Sequence, residues 1–168
     1  MQRVLHVLAA LALGLALVSC SGYRNSAEQD APLKLPADCR SLFLRTVTNP
    51  TMTPGLEATL RSTLRDELTR RARVAWAPRE AATAYADVTV HRFTSQTSLT
   101  GSDDETLKSS ASISLTVEIF RRSDGALVWS ADKVSASESY TGNDRTQAEA
   151  NVLDMAVRRA VDRMAQNY

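Results

Sequence analysis

Histidine, cysteine and aromatic residues are scarce in this 168-residue chain, and each scarcity closes off a chemistry. Two histidines leave little room for imidazole-based metal binding. Two cysteines build neither a disulfide-rich scaffold nor a four-cysteine zinc site. Aromatics at 5% supply no run of base-stacking platforms. The 20 Lys plus Arg against 19 Asp plus Glu give a net charge of +1, without the basic excess of a nucleic-acid binder. The six glycines are scattered and form no phosphate loop. Neither a Gly-x-Ser-x-Gly elbow nor a His-Glu-x-x-His helix occurs. What remains is an apolar share of 43%, enough for the core of one domain with or without a tail.

The first residues read as an address. Arg3 gives a positively charged start, and residues 7–18 are apolar apart from Gly14. That run is shorter than the ~20 residues of a membrane-spanning helix and fits the ~7–15 of an export-signal core. It ends in Leu17-Val18-Ser19-Cys20, which resembles the bacterial lipobox. On that resemblance residues 1–19 are removed, Cys20 carries acyl chains on its sulfur and amine, and several chains make a stable anchor. Residue 21 is Ser rather than the Asp that retains such proteins in the inner membrane of well-studied Gram-negative bacteria. The expected location is therefore the periplasmic side of the outer membrane. Removal of the signal takes away one basic residue and no acidic one, so the mature side chains balance. With Cys20 consumed, Cys39 has no partner within the chain and reads as a small semi-buried residue, a free thiol or a link to another chain.

Residues 20–38 are polar and small, with Pro32 and Pro36, and read as a tether ahead of a domain at 39–168. The spacing predicts a strand at 41–48, broken by Asn49-Pro50-Thr51. A helix follows, with Thr53 as N-cap and Pro54 in the first turn. Leu56, Leu60, Leu64 and Leu68 form its apolar stripe, and Glu57–Arg61, Asp66–Arg70 and Glu67–Arg71 are acid-before-base pairs. A doubtful strand at 74–77 and a better one at 85–94 lead to a polar loop at 101–105. Ile113, Leu115, Val117 and Ile119 alternate with polar residues, the strongest strand signal in the chain. Asp124-Gly125 marks a hairpin. The return strand points Leu127, Trp129 and Ala131 inward, and its alternation weakens near Asp132-Lys133, where a bulge or a change of face fits. Thr146 to Glu149 forms a capping box for a last helix with Leu153, Ala156, Val157, Ala160, Val161 and Met164 on one stripe and Asp154–Arg158 on the other side. The predicted fold is α+β: a two-layer sandwich with a mainly antiparallel four- to five-stranded sheet and two amphipathic helices on one face.

Few residues invite chemistry. His91, the only histidine after the signal, reads as a wet-face strand residue, with nothing to position a Ser-His-Asp triad through it. Asp103-Asp104-Glu105 lacks the spaced ligand ladder of an EF-hand loop and reads as a solvated turn. Asp66 and Glu67 point apart on a helix, unsuited to paired-carboxylate catalysis. Arg70, Arg71 and Arg73 complement a helix C-terminus, with a lipid-phosphate site as the sharper alternative. Trp129 reads as core rather than ligand contact. No catalytic residue, metal site or cofactor emerges.

Taken in order, a set of short motifs resembles the LptE family of lipopolysaccharide-assembly outer-membrane lipoproteins. They are Cys20-Ser21-Gly22-Tyr23, Val47-Thr48-Asn49-Pro50-Thr51, Pro54-Gly55-Leu56-Glu57, Ala86-Asp87-Val88-Thr89-Val90, the strand at 113–120, the hairpin and strand from Asp124 to Trp129, Glu138-Ser139-Tyr140 and the helix from Ala148. Ser21, Cys39 and the neutral mature charge depart from the family pattern. The resemblance implies a lipid-anchored protein that plugs the LptD β-barrel and helps it assemble. The pair carries lipopolysaccharide to the outer leaflet with no covalent chemistry and no nucleic acid. For the glycolipid phosphates the expected contacts are Lys108, Arg121 and Arg122, on or beside the loops flanking the long strand. Two other readings are an auxiliary lipoprotein of a phospholipid-trafficking ABC transporter and a lipid-anchored hydrolase.

Overall fold

The structure, a computed structural model, describes residues 35–100, 106–141 and 144–166. The export signal, Cys20 and the tether up to residue 34 lie outside the described residues, as does the acidic loop at 101–105. After a 3-10 turn at Ala37–Cys39 come β1 (Ser41–Thr48), α1 (Leu56–Ala72), β2 (Ala75–Trp76), β3 (Ala84–Thr100), β4 (Thr106–Arg121), β5 (Leu127–Tyr140) and α2 (Arg145–Gln166). The sheet order is β2-β1-β3-β4-β5. β1 runs parallel to β2 and to β3, while β3, β4 and β5 are antiparallel. This is the expected α+β sandwich, and the doubtful second strand exists as a two-residue edge strand on Ser41 and Leu42.

One face of the sheet is sealed. Ile113, Leu115, Val117 and Ile119 of β4 are at most 2% exposed and form its centre line. Leu42, Leu44, Val88, Val90 and Val134 flank them, and the leucine stripe of α1 and the alanine–valine stripe of α2 close over the top in one core. The small residues Ala148, Ala156 and Ala160 let α2 approach the sheet closely. Val152, fully buried, belongs to that stripe although the sequence reading placed its start at Leu153. Leu35 is also buried, so packing begins before residue 39.

Local expectations fail at both helix starts. Gly55, not Thr53, caps α1, with φ +76 and no side-chain cap bond; the Asn49 carboxamide instead accepts from Thr51 N and Oγ1 at 3.0 and 2.6 Å. A left-handed turn costs glycine little, so the chain enters the helix there rather than at the threonine. α2 starts one residue ahead of the expected capping box, and Glu149 takes the guanidinium of Arg145 at 2.7 Å instead of reaching back to a cap. Arg61 donates to Leu44 O at 3.2 Å and Arg70 pairs with Glu67, so neither forms its expected partner pair. Glu67–Arg71 and Asp154–Arg158 form as expected, at 3.2 and 2.9 Å.

Candidate interaction face

Among the described residues the other face of the sheet carries no helix, and strand register arranges its side chains in rows. Phe43, Tyr85, Phe120 and Leu127 are aligned across β1, β3, β4 and β5; Leu127, expected inward, is 53% exposed because the register shifts between its pairing with Phe120 and that of Trp129 with Ile119. Phe43 and Tyr85 meet edge to face at 6.4 Å between centroids. The next row is charged. Arg45, the extra residue of a bulge in β1, forks onto Asp87 at 3.1 and 2.5 Å and lies 5.4 Å above both the Tyr85 and Phe120 rings. Thr46 donates to the same carboxylate at 2.7 Å. Burial opposes ionisation of Asp87, but the guanidinium and hydroxyl overcome it and hold its carboxyl below the ordinary range.

Between the charged row and the far end sits a hub. β3 bulges at His91 and β5 bulges opposite it at Asp132-Lys133, where Lys133 has φ +45. Thr116 of β4 lies between them. Its hydroxyl contacts His91 Nε2 at 2.8 Å, donates to Asp132 Oδ1 at 2.9 Å and accepts from Lys133 N at 3.1 Å. A hydroxyl has one proton. If it goes to Asp132, His91 Nε2 must be the donor in its contact. Thr116 is then hydrogen-bond acceptor to the imidazole, the reverse of a nucleophile activated by a base. Beyond the hub the rows are hydroxylic: Ser114 faces Ser135, Ser112 faces Ser137 and Ser110 faces Ser139, with Thr94 and Ser112 hydrogen-bonded at 2.9 Å.

The residues singled out from sequence occupy separate places. Lys108 is exposed near the start of β4 and borders a cleft of about 300 Å³ with Glu138, Tyr140, Asp144 and Gln147. Arg121 and Arg122 lie at the other end of the same strand, roughly 40 Å away at ~3.3 Å per residue. Arg121 binds Asp38 and Asp124 at 2.9 and 3.0 Å. Arg122 donates to Glu80 O and, at 3.1 Å, to Ala82 O, clamping the turn before β3. Trp129 is inward and packed on the core, with an indole N–H that has no partner among the described residues. Cys39 is fully buried, and burial pushes its thiol up. Glu67 is buried rather than solvated; desolvation works against its charge, yet Arg70 and Arg71 hold its carboxyl low, and Arg71 reaches on to Asp162 of α2 at 2.5 Å. The Arg45–Asp87 fork and the Thr116 hub were missed by the sequence reading; each joins residues far apart in the chain.

The two lowered carboxyls set a pH dependence. Their folded-state values lie below those of an unfolded chain, so their stabilisation is fully present above about pH 4–5 and is lost as the pH falls through the folded values. Urea midpoints are expected to be flat from pH 7 to 5 and to fall below pH 4. The Asp87→Asn variant should be less stable at pH 7 with a shallower acid slope; an acid slope equal to that of the native chain would show that the fork does not carry it.

Among the described residues the sheet is backed by helices on one face and presents hydroxyl-rich rows on the other. The LptE family, described as lipopolysaccharide-assembly, matches residues 40–167, and the chain belongs to that family. A minor lipoprotein from Acinetobacter baumannii shares the fold at 17% identity and TM-score 0.50, over 77% of this chain and 94% of that one. A lipoprotein from Neisseria meningitidis does so at 14% identity and TM-score 0.50, over 76% of this chain and 99% of that one. No curated protein matches the sequence. Among the described residues no helix is long and apolar enough to cross a membrane, and no group of His, Cys, Asp or Glu is arranged to hold a metal ion.

Proposed function

We propose that this chain is an outer-membrane lipoprotein, held through an acylated Cys20, that seats inside an LptD-like β-barrel, helps it assemble and with it passes lipopolysaccharide to the outer leaflet. The observation that supports a barrel partner is the bare sheet face. Its serine and threonine rows suit the polar, wetted interior of a large barrel better than a dry apolar interface. A lipid anchor keeps the plug at the membrane in which the barrel assembles and raises its effective concentration there. Affinity purification of the acylated chain from mildly solubilised outer membranes tests this. A stoichiometric large β-barrel protein is the expected companion; transporter components in its place would overturn the reading.

Lys108, Arg121 and Arg122 are proposed as contacts for the glycolipid phosphates. Given their separation along β4, they belong to two contact points, not to one headgroup site. Arg121 and Arg122 also hold the fold together, so their replacement mixes stability with binding. Lys108→Glu tests the contact point at the start of β4. Loss of one charge-assisted contact of ~1.4 kcal/mol corresponds to about tenfold weaker glycolipid binding, read by titration of the purified protein. Unchanged binding would remove Lys108 from the site.

A further inference from the structure

The aromatic row lies at the end of the sheet where the chain enters the domain. Asp38, just before β1, is ion-paired at 2.9 Å to Arg121, the residue after Phe120 of the row. The described chain begins at Leu35, fifteen residues after Cys20, a reach of at most about 50 Å even if fully extended. The tether from Cys20 therefore joins the domain at the end that carries the row. Among the described residues the row is the apolar stretch of a face that is otherwise polar or charged. Leu127, at its β5 end, is 53% exposed, and Phe43, Tyr85 and Phe120 are half-buried. Arg45 lies over two of the rings, and Arg40 and Arg79 at the same end are exposed without an ion pair among the described residues.

Aromatic rings with an apolar body, set among arginines, suit the boundary between lipid headgroups and acyl chains, where rings are half-buried and guanidiniums meet phosphates. We propose that, before a barrel partner takes it up, the domain rests on the leaflet that holds its anchor through the Phe43–Tyr85–Phe120–Leu127 row. The row orients the domain with its hydroxyl rows turned away from the lipid, while the acyl chains supply the hold. This inference rests on the lipid-anchor part of the function proposed above. The bulk of the face, polar at the hub and beyond, stays in water and available to a partner.

The test uses the full acylated chain on vesicles of phosphatidylethanolamine and phosphatidylglycerol, with a polarity-sensitive dye on Leu127→Cys or Met52→Cys. Both positions are exposed, so labelling should leave the fold intact; Cys39 is buried, and the chain without an added cysteine gives the background. Met52, 99% exposed, lies beyond the other end of β1 and controls for general stickiness of an apolar side chain. The expected result is a blue-shifted, brighter emission at 127 and none at 52. Chain that floats with the vesicles while both dyes stay aqueous overturns the docking and leaves the anchor intact. Shifts at both positions mean non-specific adhesion and overturn it too. A dye at 127 that is shielded only when a co-purified barrel is added would assign the row to that protein instead. Chain that carries no acyl group and does not float would sink the anchor reading and the inference together.

Discussion

Leu64→Ala is expected to destabilise the domain by about 3 kcal/mol, within the ~2–5 kcal/mol typical of leucine truncation in a packed core. Leu64 is 1% exposed, and its neighbours on the stripe, Leu60 and Leu68, are as deeply buried. Those neighbours are fixed by their own packing on the sheet, so the void left by the lost methyls will not collapse easily. For a domain of this size the loss corresponds to a fall in Tm of about 10 °C, followed by circular dichroism. Met52→Ala, at a side chain 99% exposed, should stay within about 0.5 kcal/mol of the native chain. If the two variants melt together, α1 does not sit on the sheet as described.

That stripe was legible because its information is local. Four leucines at four-residue spacing need no knowledge of the rest of the chain to define one face of a helix, and all four are buried. The alternation from Ser112 to Ile119 was legible for the same reason, with the period of a strand in place of a helix. Reading became harder wherever the backbone leaves its period. β3 extends to Thr100, beyond the end expected near residue 94. Past Phe93 it carries mostly hydroxyl and amide side chains, and it continues as a strand because β4 supplies backbone partners. The bulge at Asp132-Lys133 left a trace in the sequence as a break in alternation; the one at Arg45 left none that was read. Helix caps were misplaced because several small polar residues near each start are equally plausible on paper, and the geometry of the entering loop decides between them.

The interaction face was legible only in outline. A polar outer side to the strand at 112–119 follows from its alternation. Which polar groups meet does not, since Arg45 and Asp87 are 42 residues apart and their meeting depends on β1 lying beside β3 in one particular register. The same register turns four scattered apolar residues into one row. Basic residues flanking the long strand were found readily by type, but type says nothing of prior commitments. Arg121 and Arg122 proved to be engaged by carboxylates and carbonyls of their own chain. The buried Glu67 was similarly hidden: it occupies a helical position that a solvated acid could fill equally well, until α2 closes over it with Asp162 on Arg71.

The Thr116 hub makes the second large effect. Thr116→Val keeps the shape of the side chain and removes the hydroxyl, so packing is preserved while three hydrogen bonds are lost. His91 and Asp132 are exposed and can turn to water, which limits their cost. The Lys133 amide is held in place by the bulge, with φ +45, and cannot turn. A donor stranded in this way costs about 1–3 kcal/mol, and that is the expected loss in a denaturant titration. Thr116→Ser, which keeps the hydroxyl and drops a methyl, should recover most of it. Native-state hydrogen exchange gives the local reading: the Lys133 amide should exchange faster in the valine variant than in the serine variant, while amides of α1 change only in step with global stability. Equal exchange in the two variants would mean that the bulge is held by the strand ladder alone. The hub sits between the apolar row and the hydroxyl rows, and with both bulges tied to one threonine the two halves of the face keep a fixed offset.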